Sequence, residues 1–347
     1  MIRYLEGKEK VNTRGLWGEA FGEDSESFKD YYYSEKVKDN RILVWEDQGR
    51  IDAMVQLNPY LLQVRDRRWR VDYLVGVAMR EECRHHGYMR RLLCRAMTDM
   101  RQELMPFCFL MPANEAIYRP FGFTYIFDQP QVQLAQPSRV LGRQILPWLD
   151  IMGGPWFLDA LSDWINSWIS QSCQVYAVRS EAYLLRLFKE LESENGSFNV
   201  IYDGNVMVGV LADWGWQKRE QRLLYAKPDY VMETGAAKPA IMARIITPEI
   251  FMRVIHLSAD APEEMEIRLQ ISDPLIPEND GLWRWCLNHE ASWLLRPERG
   301  MDGGAPELVL TIDELTSWLF GYGVPEAAGA YRDRIEPLRG VFLDEVV

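Results

Sequence analysis

Residues 84–93 read Arg84-His85-His86-Gly87-Tyr88-Met89-Arg90-Arg91-Leu92-Leu93. The segment follows an apolar run at residues 71–79 that predicts a strand, and it begins a helical pattern that extends to about Leu104. A helix start offers free backbone N–H groups and the positive end of the helix dipole. Gly87 lets an anion approach the backbone closely, because glycine has no Cβ. The sequence therefore predicts an anion-binding site between this strand and this helix.

Size and composition indicate a globular protein. The chain has 347 residues, enough for two or three domains with buried cores, and 48% of its residues are hydrophobic. No apolar run approaches the roughly 18 residues of a membrane span, and the first residues lack an apolar signal-peptide core. The 5 cysteines are scattered without paired spacing, as in reduced intracellular proteins. We therefore expect a cytoplasmic protein with no membrane partner.

The charge is negative overall but uneven along the chain. A formal net charge of −12 disfavours nucleic acid as a partner and suits a cationic or amine substrate, although ordinary solubilising charge explains it equally well. Positive residues are concentrated at residues 65–70 and 84–95. This distribution is expected if one local part of the molecule binds an anion.

The first of three predicted pieces spans residues 1–129. It combines helical patterns with strands, among them a hairpin at the turn Asp47-Gln48-Gly49-Arg50 and separate strands at residues 51–57 and 60–64. The helix at residues 87–104 follows the strand that ends at Met79. Strands and helices mixed on one piece imply α/β or α+β layering.

The second and third pieces span residues 130–238 and 239–347. The second repeats the helix–strand–turn–strand order of the first around Asp203-Gly204-Asn205, and we interpret it as a diverged copy without an Arg-x-x-Gly helix start. The Gly-, Pro- and Lys-containing segment 234–239 is predicted to be the linker to the third piece, which combines several strands with a late helix at residues 313–320.

Four motifs, in this order, resemble one protein family. Val75-Gly76-Val77-Ala78-Met79 followed by Arg84-x-x-Gly87 resembles the acetyl-CoA signature of the GCN5-related N-acetyltransferases (GNAT). The other three resemble motifs of its Eis-like (enhanced intracellular survival) branch: Ile117-Tyr118-Arg119-Pro120-Phe121-Gly122-Phe123, Ile245-Ile246-Thr247 and Leu315-Thr316-Ser317-Trp318-Leu319-Phe320-Gly321-Tyr322. The resemblance covers the whole chain.

The resemblance implies an α+β fold of three domains. These are an N-terminal GNAT acetyltransferase domain at 1–129, a central degenerate GNAT-like domain at 130–238 and a sterol-carrier-protein-like α/β domain at 239–347. It also implies transfer of an acetyl group from acetyl-CoA to a primary amine by a homo-oligomer. Aminoglycosides, polyamines, lysine side chains and small arylalkylamines remain open as acceptors.

The resemblance further assigns roles to individual residues. Val77 and Met79 would bind the pantetheine arm of acetyl-CoA through their backbones. The residues implied to wrap the pyrophosphate or line the cofactor are His85, His86, Gly87, Tyr88, Met89, Arg90, Ala113 and Asn114. Tyr118 would be the general acid and the C-terminal carboxylate of Val347 the general base. Met89 departs from the Gly or Ala that is commonest at its position, but we expect cofactor binding to survive.

The proposed acid and base can be examined from ordinary pKa values. A tyrosine with a pKa near 10 is protonated at neutral pH and can donate to a leaving thiolate, whose thiol has a pKa near 8.5. A terminal carboxyl with a pKa near 3.5 would deprotonate an alkylammonium only at a cost of about 9 kcal/mol, which burial would reduce. The apolar residues 341–343 predict that the terminus is tucked into the protein, where Asp344 and Glu345 would add negative potential.

Two other interpretations concern the paired histidines and the third piece. His85 and His86 could bind a metal, but neighbouring residues at a helix start point apart and no Cys, Asp or Glu stands at ligand spacing, so no metal is expected. The alternative function is a binding protein that holds an apolar ligand in the sterol-carrier-like piece. The tryptophans and charges of that piece argue against an open lipid pocket.

Overall fold

The structure, a computed structural model, describes residues 1–135, 143–145, 155–297 and 304–345, with the backbone alone at 143–145, 155 and 156. Within these ranges no helix is long and apolar enough to cross a membrane.

The N-terminal part alternates strands and helices. Its elements are β1 (Ile2–Tyr4), α1 (Arg14–Ala20), α2 (Glu26–Tyr31), β2 (Arg41–Asp47), β3 (Arg50–Val64), β4 (Arg67–Met79), α3 (Tyr88–Gln102), β5 (Phe107–Leu110), α4 (Glu115–Tyr118) and β6 (Thr124–Leu134). The predicted hairpin joins β2 to β3, with Gln48 and Gly49 both at positive φ, as a tight turn between antiparallel strands requires. The helix predicted at residues 87–104 is α3.

The predicted break between residues 57 and 60 is wrong, because β3 runs through it. Pro59 is paired with Asp72 on β4, and the pairing with β2 ends at Leu57. Since β2 no longer pairs with β3 beyond Leu57, the edge of β3 that faced β2 needs no N–H donor at position 59. A proline therefore fits within the strand.

The central part forms a second, smaller sheet. Its elements are β7 (Arg143–Ile145), α5 (Pro155–Ser170), β8 (Val175–Ala177), α6 (Glu181–Ser193), β9 (Ser197–Asp203), β10 (Val206–Trp214), β11 (Glu220–Ala226) and β12 (Val231–Ile245). The strand order in this sheet is β11-β10-β9-β7. The predicted hairpin of the second copy is therefore confirmed as β9 and β10.

Two strands of the central part belong to the main sheet instead. β8 pairs with β3, and β12 joins the order β1-β2-β3-β4-β5-β12-β6. The predicted linker at residues 234–239 is therefore wrong: the segment lies within β12 and pairs with β6 through repeated register shifts. Such irregular pairing accommodates Gly235 and Pro239. The division into three domains stays a prediction, and its second boundary falls inside this strand.

The C-terminal part adds a sheet backed by a helix. Its elements are α7 (Pro248–Phe251), β13 (His256–Leu257), β14 (Glu264–Ser272), β15 (Gly281–Asn288), β16 (Ser292–Leu295), β17 (Leu308–Thr311), α8 (Ile312–Leu319), β18 (Ile335–Glu336) and β19 (Val341–Phe342). The strand order is β16-β15-β14-β17, and Trp283, Trp285 and Trp318 fill the interior with no more than 2% exposure each. The last strand, β19, returns to pair with β8.

One continuous hydrophobic core joins the main sheet to the C-terminal part. It includes Leu92 and Met97 of α3, Phe107 of β5, Phe251 of α7 and Phe320 beyond α8. The rings of Phe107 and Phe320 are 5.1 Å apart, centroid to centroid. Since strands and helices are mixed in layers throughout, the predicted α+β class is confirmed.

Candidate functional site

The start of α3 is an open helix end with a left-handed glycine at its N-cap. Gly87 adopts φ +75° as the N-cap residue, and His85 also has positive φ. No side chain caps this helix, and a Cβ built on Gly87 would meet nothing within 4 Å. The N–H groups of the first turn therefore face open space at the positive end of a 15-residue helix. This is the site that the sequence predicts.

Aromatic rings hold the basic residues of this turn in place. The ring of Tyr88 stacks on the ring of Trp45, with centroids 4.2 Å apart. The guanidinium of Arg91 also contacts Trp45, at 5.3 Å from the ring centroid. The guanidinium of Arg90 lies 5.8 Å from the ring of Phe121. Because these contacts are cation–π contacts, the guanidinium N–H groups keep their capacity to bind a phosphate.

The two histidines show no metal geometry. Nδ1 of His86 donates to the carbonyl of Cys83 at 3.1 Å, which uses one ring nitrogen for a backbone hydrogen bond. In the part of the chain that the structure describes, no group of three or more His, Cys, Asp or Glu side chains could hold a metal ion.

A bulge opens β4 next to this turn. The register against β3 shifts between Val75 and Ala78, and Gly76 in the bulge has φ +57°. A Cβ on Gly76 would lie 2.7 Å from the ring of Trp17, so no larger residue fits there. On its other edge, β4 is in parallel register with β5 only at the pair Tyr73 and Phe109, within the described residues. The backbone of residues 75–79, which includes Val77 and Met79, therefore offers hydrogen-bonding groups along the gap.

The loop after β5 carries the next predicted residues. Asn114 caps α4 by accepting a hydrogen bond from the N–H of Ala116 at 3.0 Å, and Ala113 beside it is exposed. Tyr118 ends α4 and is buried, with its ring 6.1 Å from that of Phe123. Burial raises the pKa of Tyr118 to about 12.

The C-terminal part supports the Tyr118 loop from behind. Gly122 has φ +75°, and a Cβ there would lie 2.7 Å from Ile312 at the start of α8. Next to it, Arg244 on β12 donates to Asp273 at 2.6 Å, and both side chains are fully buried. The position of Tyr118 therefore depends on a domain more than 100 residues further along the chain.

The C-terminal tail enters the protein and is clamped there by Arg179. This arginine is fully buried and donates to Asp344 at 2.6 Å and to Glu345 at 2.7 Å. The hydroxyl of Tyr225 donates to Asp344 at 2.6 Å, and that of Tyr183 to Glu345 at 2.7 Å. Both carboxylates thus share one buried cation, and the expectation that Asp344 and Glu345 add negative potential stays a prediction.

Two further bonds fix the backbone of the tail. Tyr73, at the point where β4 and β5 separate, donates its hydroxyl to the carbonyl of Glu345 at 3.2 Å. Arg222 donates to the carbonyl of Asp344 at 3.2 Å. Val347, the predicted base, lies outside the described residues.

A cavity of about 180 Å³ adjoins the tail between β3 and α6; we refer to it as the seam cavity. Its walls include Tyr60, Tyr183, Glu190, Arg222 and Glu345. The rings of Tyr60 and Tyr73 are 5.9 Å apart, so the cavity lies next to the gap between β4 and β5.

Sequence reasoning missed four residues of this arrangement: Tyr73, Arg179, Glu190 and Arg222. Two of them carried a signal. Arg179 is a lone cation directly after the apolar run 175–178, and Glu190 interrupts the apolar face of α6 between Leu187 and Leu191. Charged residues at such positions are buried only with partners, which the sequence does not identify.

Comparison with known proteins identifies the domains. Residues 1–126 match the family described as acetyltransferase (GNAT) domain, and residues 253–335 match the sterol carrier protein domain. The N-terminal part is therefore similar to a GNAT acetyltransferase domain, and the C-terminal part to a sterol carrier protein domain. A search of curated proteins gave no match.

Three solved structures share the fold over nearly the whole chain. A conserved protein from Enterococcus faecalis, described as a probable N-acyltransferase, has a TM-score of 0.76 at 14% identity and covers 97% of this chain and 93% of its own. A GCN5-related N-acetyltransferase from Kribbella flavida has 0.74 at 16% identity, with 100% and 98% covered. Eis1 from Mycobacterium abscessus has 0.71 at 14% identity, with 99% of each chain covered. The predicted tandem acetyltransferase-like fold followed by a sterol-carrier-like domain is thus confirmed.

Proposed function

We propose that the protein is an N-acetyltransferase of the Eis-like branch that transfers the acetyl group of acetyl-CoA to a primary amine. One observation carries the proposal: the uncapped start of α3 lies beside the gap between β4 and β5, and the described C-terminal tail reaches the same gap at Glu345, whose carbonyl accepts from Tyr73. An anion site and an exposed strand edge suit the binding of acetyl-CoA, and the proposed base, the carboxylate of Val347, follows two residues after Glu345. The GNAT domain at residues 1–126 supports the same conclusion.

The chain's own groups fit acetyl-CoA. Gly87 leaves room for a pyrophosphate against the N–H groups of Tyr88, Met89 and Arg90, and His85 and His86 flank the same turn. The bulged edge of β4 presents the backbone of Val77 and Met79 to an extended pantetheine arm, and Ala113 and Asn114 lie across the gap at the end of β5. When bound, acetyl-CoA supplies the activated acetyl group.

In the balanced reaction, one proton leaves the amine nitrogen and one is added to the sulfur. The amine nitrogen forms a bond to the acetyl carbonyl carbon, the carbon–sulfur bond breaks, the nitrogen loses a proton and the sulfur gains one. Backbone N–H groups at the end of β4 stabilise negative charge on the carbonyl oxygen. The terminal carboxylate of Val347 accepts the proton of the nitrogen.

Tyr118 supplies the hydrogen-bond donor for the sulfur. Its burial determines whether it transfers the proton completely or only donates a hydrogen bond. Its pKa of about 12 keeps it protonated at neutral pH. Complete transfer to a thiolate whose acid has a pKa near 8.5 costs about 5 kcal/mol. Its contribution is therefore mainly a hydrogen bond to the charge that develops on the sulfur, with solvent protons completing the exchange.

The proposal is tested by thiol release from acetyl-CoA with a panel of amines. Tyr118→Phe should lower kcat by about 100-fold or more while acetyl-CoA still raises the Tm. Addition of one glycine after Val347 should impair kcat more than cofactor binding. Tyr125→Phe, a nearby half-buried tyrosine on β6, is the matched control and should retain activity. Full activity of both the Tyr118→Phe and the extended protein would refute this mechanism.

The packing of the described C-terminal residues argues against an open lipid pocket, although residues 253–335 match a sterol carrier protein domain. The space between its sheet and α8 is occupied by side chains, with the rings of Trp285 and Trp318 only 5.9 Å apart. We propose that this domain serves instead to support the Tyr118 loop and to deliver the tail to the site.

A further inference from the structure

The walls of the seam cavity carry no spare negative charge. Glu190 is 3.5 Å from Lys36 and 3.5 Å from Arg222, and Glu345 is held by Arg179. At the mouth, Arg186 is 3.1 Å from Asp39. Three cations and three carboxylates thus line the cavity, and each is in an ion pair within the described residues.

Among the described wall residues, a second ammonium on a ligand would therefore meet no carboxylate outside an ion pair, and the one buried carboxylate oxygen without a hydrogen bond, Oε1 of Glu190, already faces Arg222. Glu190 is 3% exposed, so any cation that recruits it must first replace Lys36 or Arg222 in a desolvated pair. Removal of one partner from a buried pair is strongly unfavourable, because the other charge is left in a poorly solvated place. The face of Tyr60 offers no alternative, since the ammonium of Lys36 already lies 5.6 Å from its ring centroid.

Size and wall chemistry restrict the ligand further. The volume of about 180 Å³ is below the roughly 300–1,000 Å³ of sites that take drug-sized molecules. The uncharged part of the wall is mostly apolar or aromatic, with Asn58 and Ser180 as its polar members; the others include Pro59, Tyr60, Val178, Tyr183 and Leu187. Such walls favour an apolar or aromatic body of few atoms.

We infer that the acceptor is a small amine with a single ammonium group and an uncharged, largely apolar body. Polyamines and aminoglycosides, which the sequence left open, carry charges that this cavity does not match. The inference rests on the proposed acetyl transfer and on the seam cavity as its acceptor site.

The test compares butylamine with 1,4-diaminobutane, which differ by one ammonium at the same chain length. With saturating acetyl-CoA and thiol detection, kcat/KM should be at least tenfold higher for butylamine, and spermidine and kanamycin should be poorer still. The Arg186→Ala protein, in which Asp39 is unpaired, should raise the diamine-to-monoamine ratio about tenfold. Arg186→Lys keeps the charge and should leave the ratio unchanged.

Removal of a charge elsewhere is the second control. Lys38→Ala breaks an exposed pair with Glu35 outside the cavity and should not alter the ratio. Equal or better turnover of 1,4-diaminobutane by the unaltered protein would overturn the inference and leave acetyl transfer intact. If no amine releases thiol and acetyl-CoA does not raise the Tm, the proposed function fails and the inference fails with it.

Discussion

At the scale of single residues, Arg179 has the largest expected effect on stability. It is paired with two buried carboxylates, Asp344 and Glu345, and Arg179→Met would remove the cation that both share. We expect a loss of about 3–5 kcal/mol in the free energy of unfolding, measured by urea denaturation. The control is Arg186→Met, whose pair with Asp39 is partly exposed and should be worth less than about 1 kcal/mol. Equal losses in the two variants would show that the clamp does not hold the tail.

The raised pKa of Tyr118 predicts that the stability of the protein depends on pH in the alkaline range. Burial raises its folded-state pKa to about 12, above the unfolded value near 10, so folding favours the protonated form. Its contribution to stability is fully present below pH 10 and is lost as the pH rises towards 12. The difference in absorbance at 295 nm between the unaltered and Tyr118→Phe proteins should give a titration midpoint near 12. A midpoint near 10 would mean that the hydroxyl is solvated and not enclosed as described.

At the scale of elements, a binding role of the turn before α3 can be distinguished from the purely structural role of an ordinary tight turn. Gly87 and Gly49 both have positive φ, and a Cβ on either would meet nothing within 4 Å. An alanine at either position should therefore cost a similar 1–2 kcal/mol of backbone strain. Only Gly87→Ala should weaken acetyl-CoA binding, by several fold in calorimetry, because only its Cβ would face the phosphate. Equal affinity of both variants for acetyl-CoA would exclude the helix start as the anion site.

The elements also show what could be predicted from sequence. Periodicity and turn residues locate α3, the β2–β3 hairpin and the α6–β9–β10 order, because each depends on neighbours in the chain. The prediction for β12 was wrong for two reasons. Gly235, Lys238 and Pro239 are residue types typical of a linker. The strands with which β12 pairs, β5 and β6, lie about 100 residues earlier in the chain. The anion site was predicted for the same local reason. The Arg179 clamp was not, because it joins residues 166 positions apart.

At the scale of the whole molecule, the sheets do not follow the three predicted pieces. The main sheet combines β3 from the first piece, β8 from the second and the end of β12 and β19 from the third. Each piece thus completes its backbone hydrogen bonding on another, and the hydrophobic core crosses the same boundaries. The parts of the candidate site therefore come together only when all three pieces are folded together.

We therefore expect a single cooperative unfolding transition in scanning calorimetry, with equal calorimetric and van't Hoff enthalpies. Asp273→Asn tests this cooperativity directly. It leaves the fully buried Arg244 without a carboxylate at the contact between β12 and the C-terminal part. In one cooperative unit the whole transition should move down by several degrees. Glu307→Gln, which breaks the exposed pair with Arg268 at 3.7 Å in the same domain, should shift it by much less. Resolved transitions of which Asp273→Asn moves only one would mean that the C-terminal part folds independently, and the support of Tyr118 through Gly122 and Ile312 would then need another explanation.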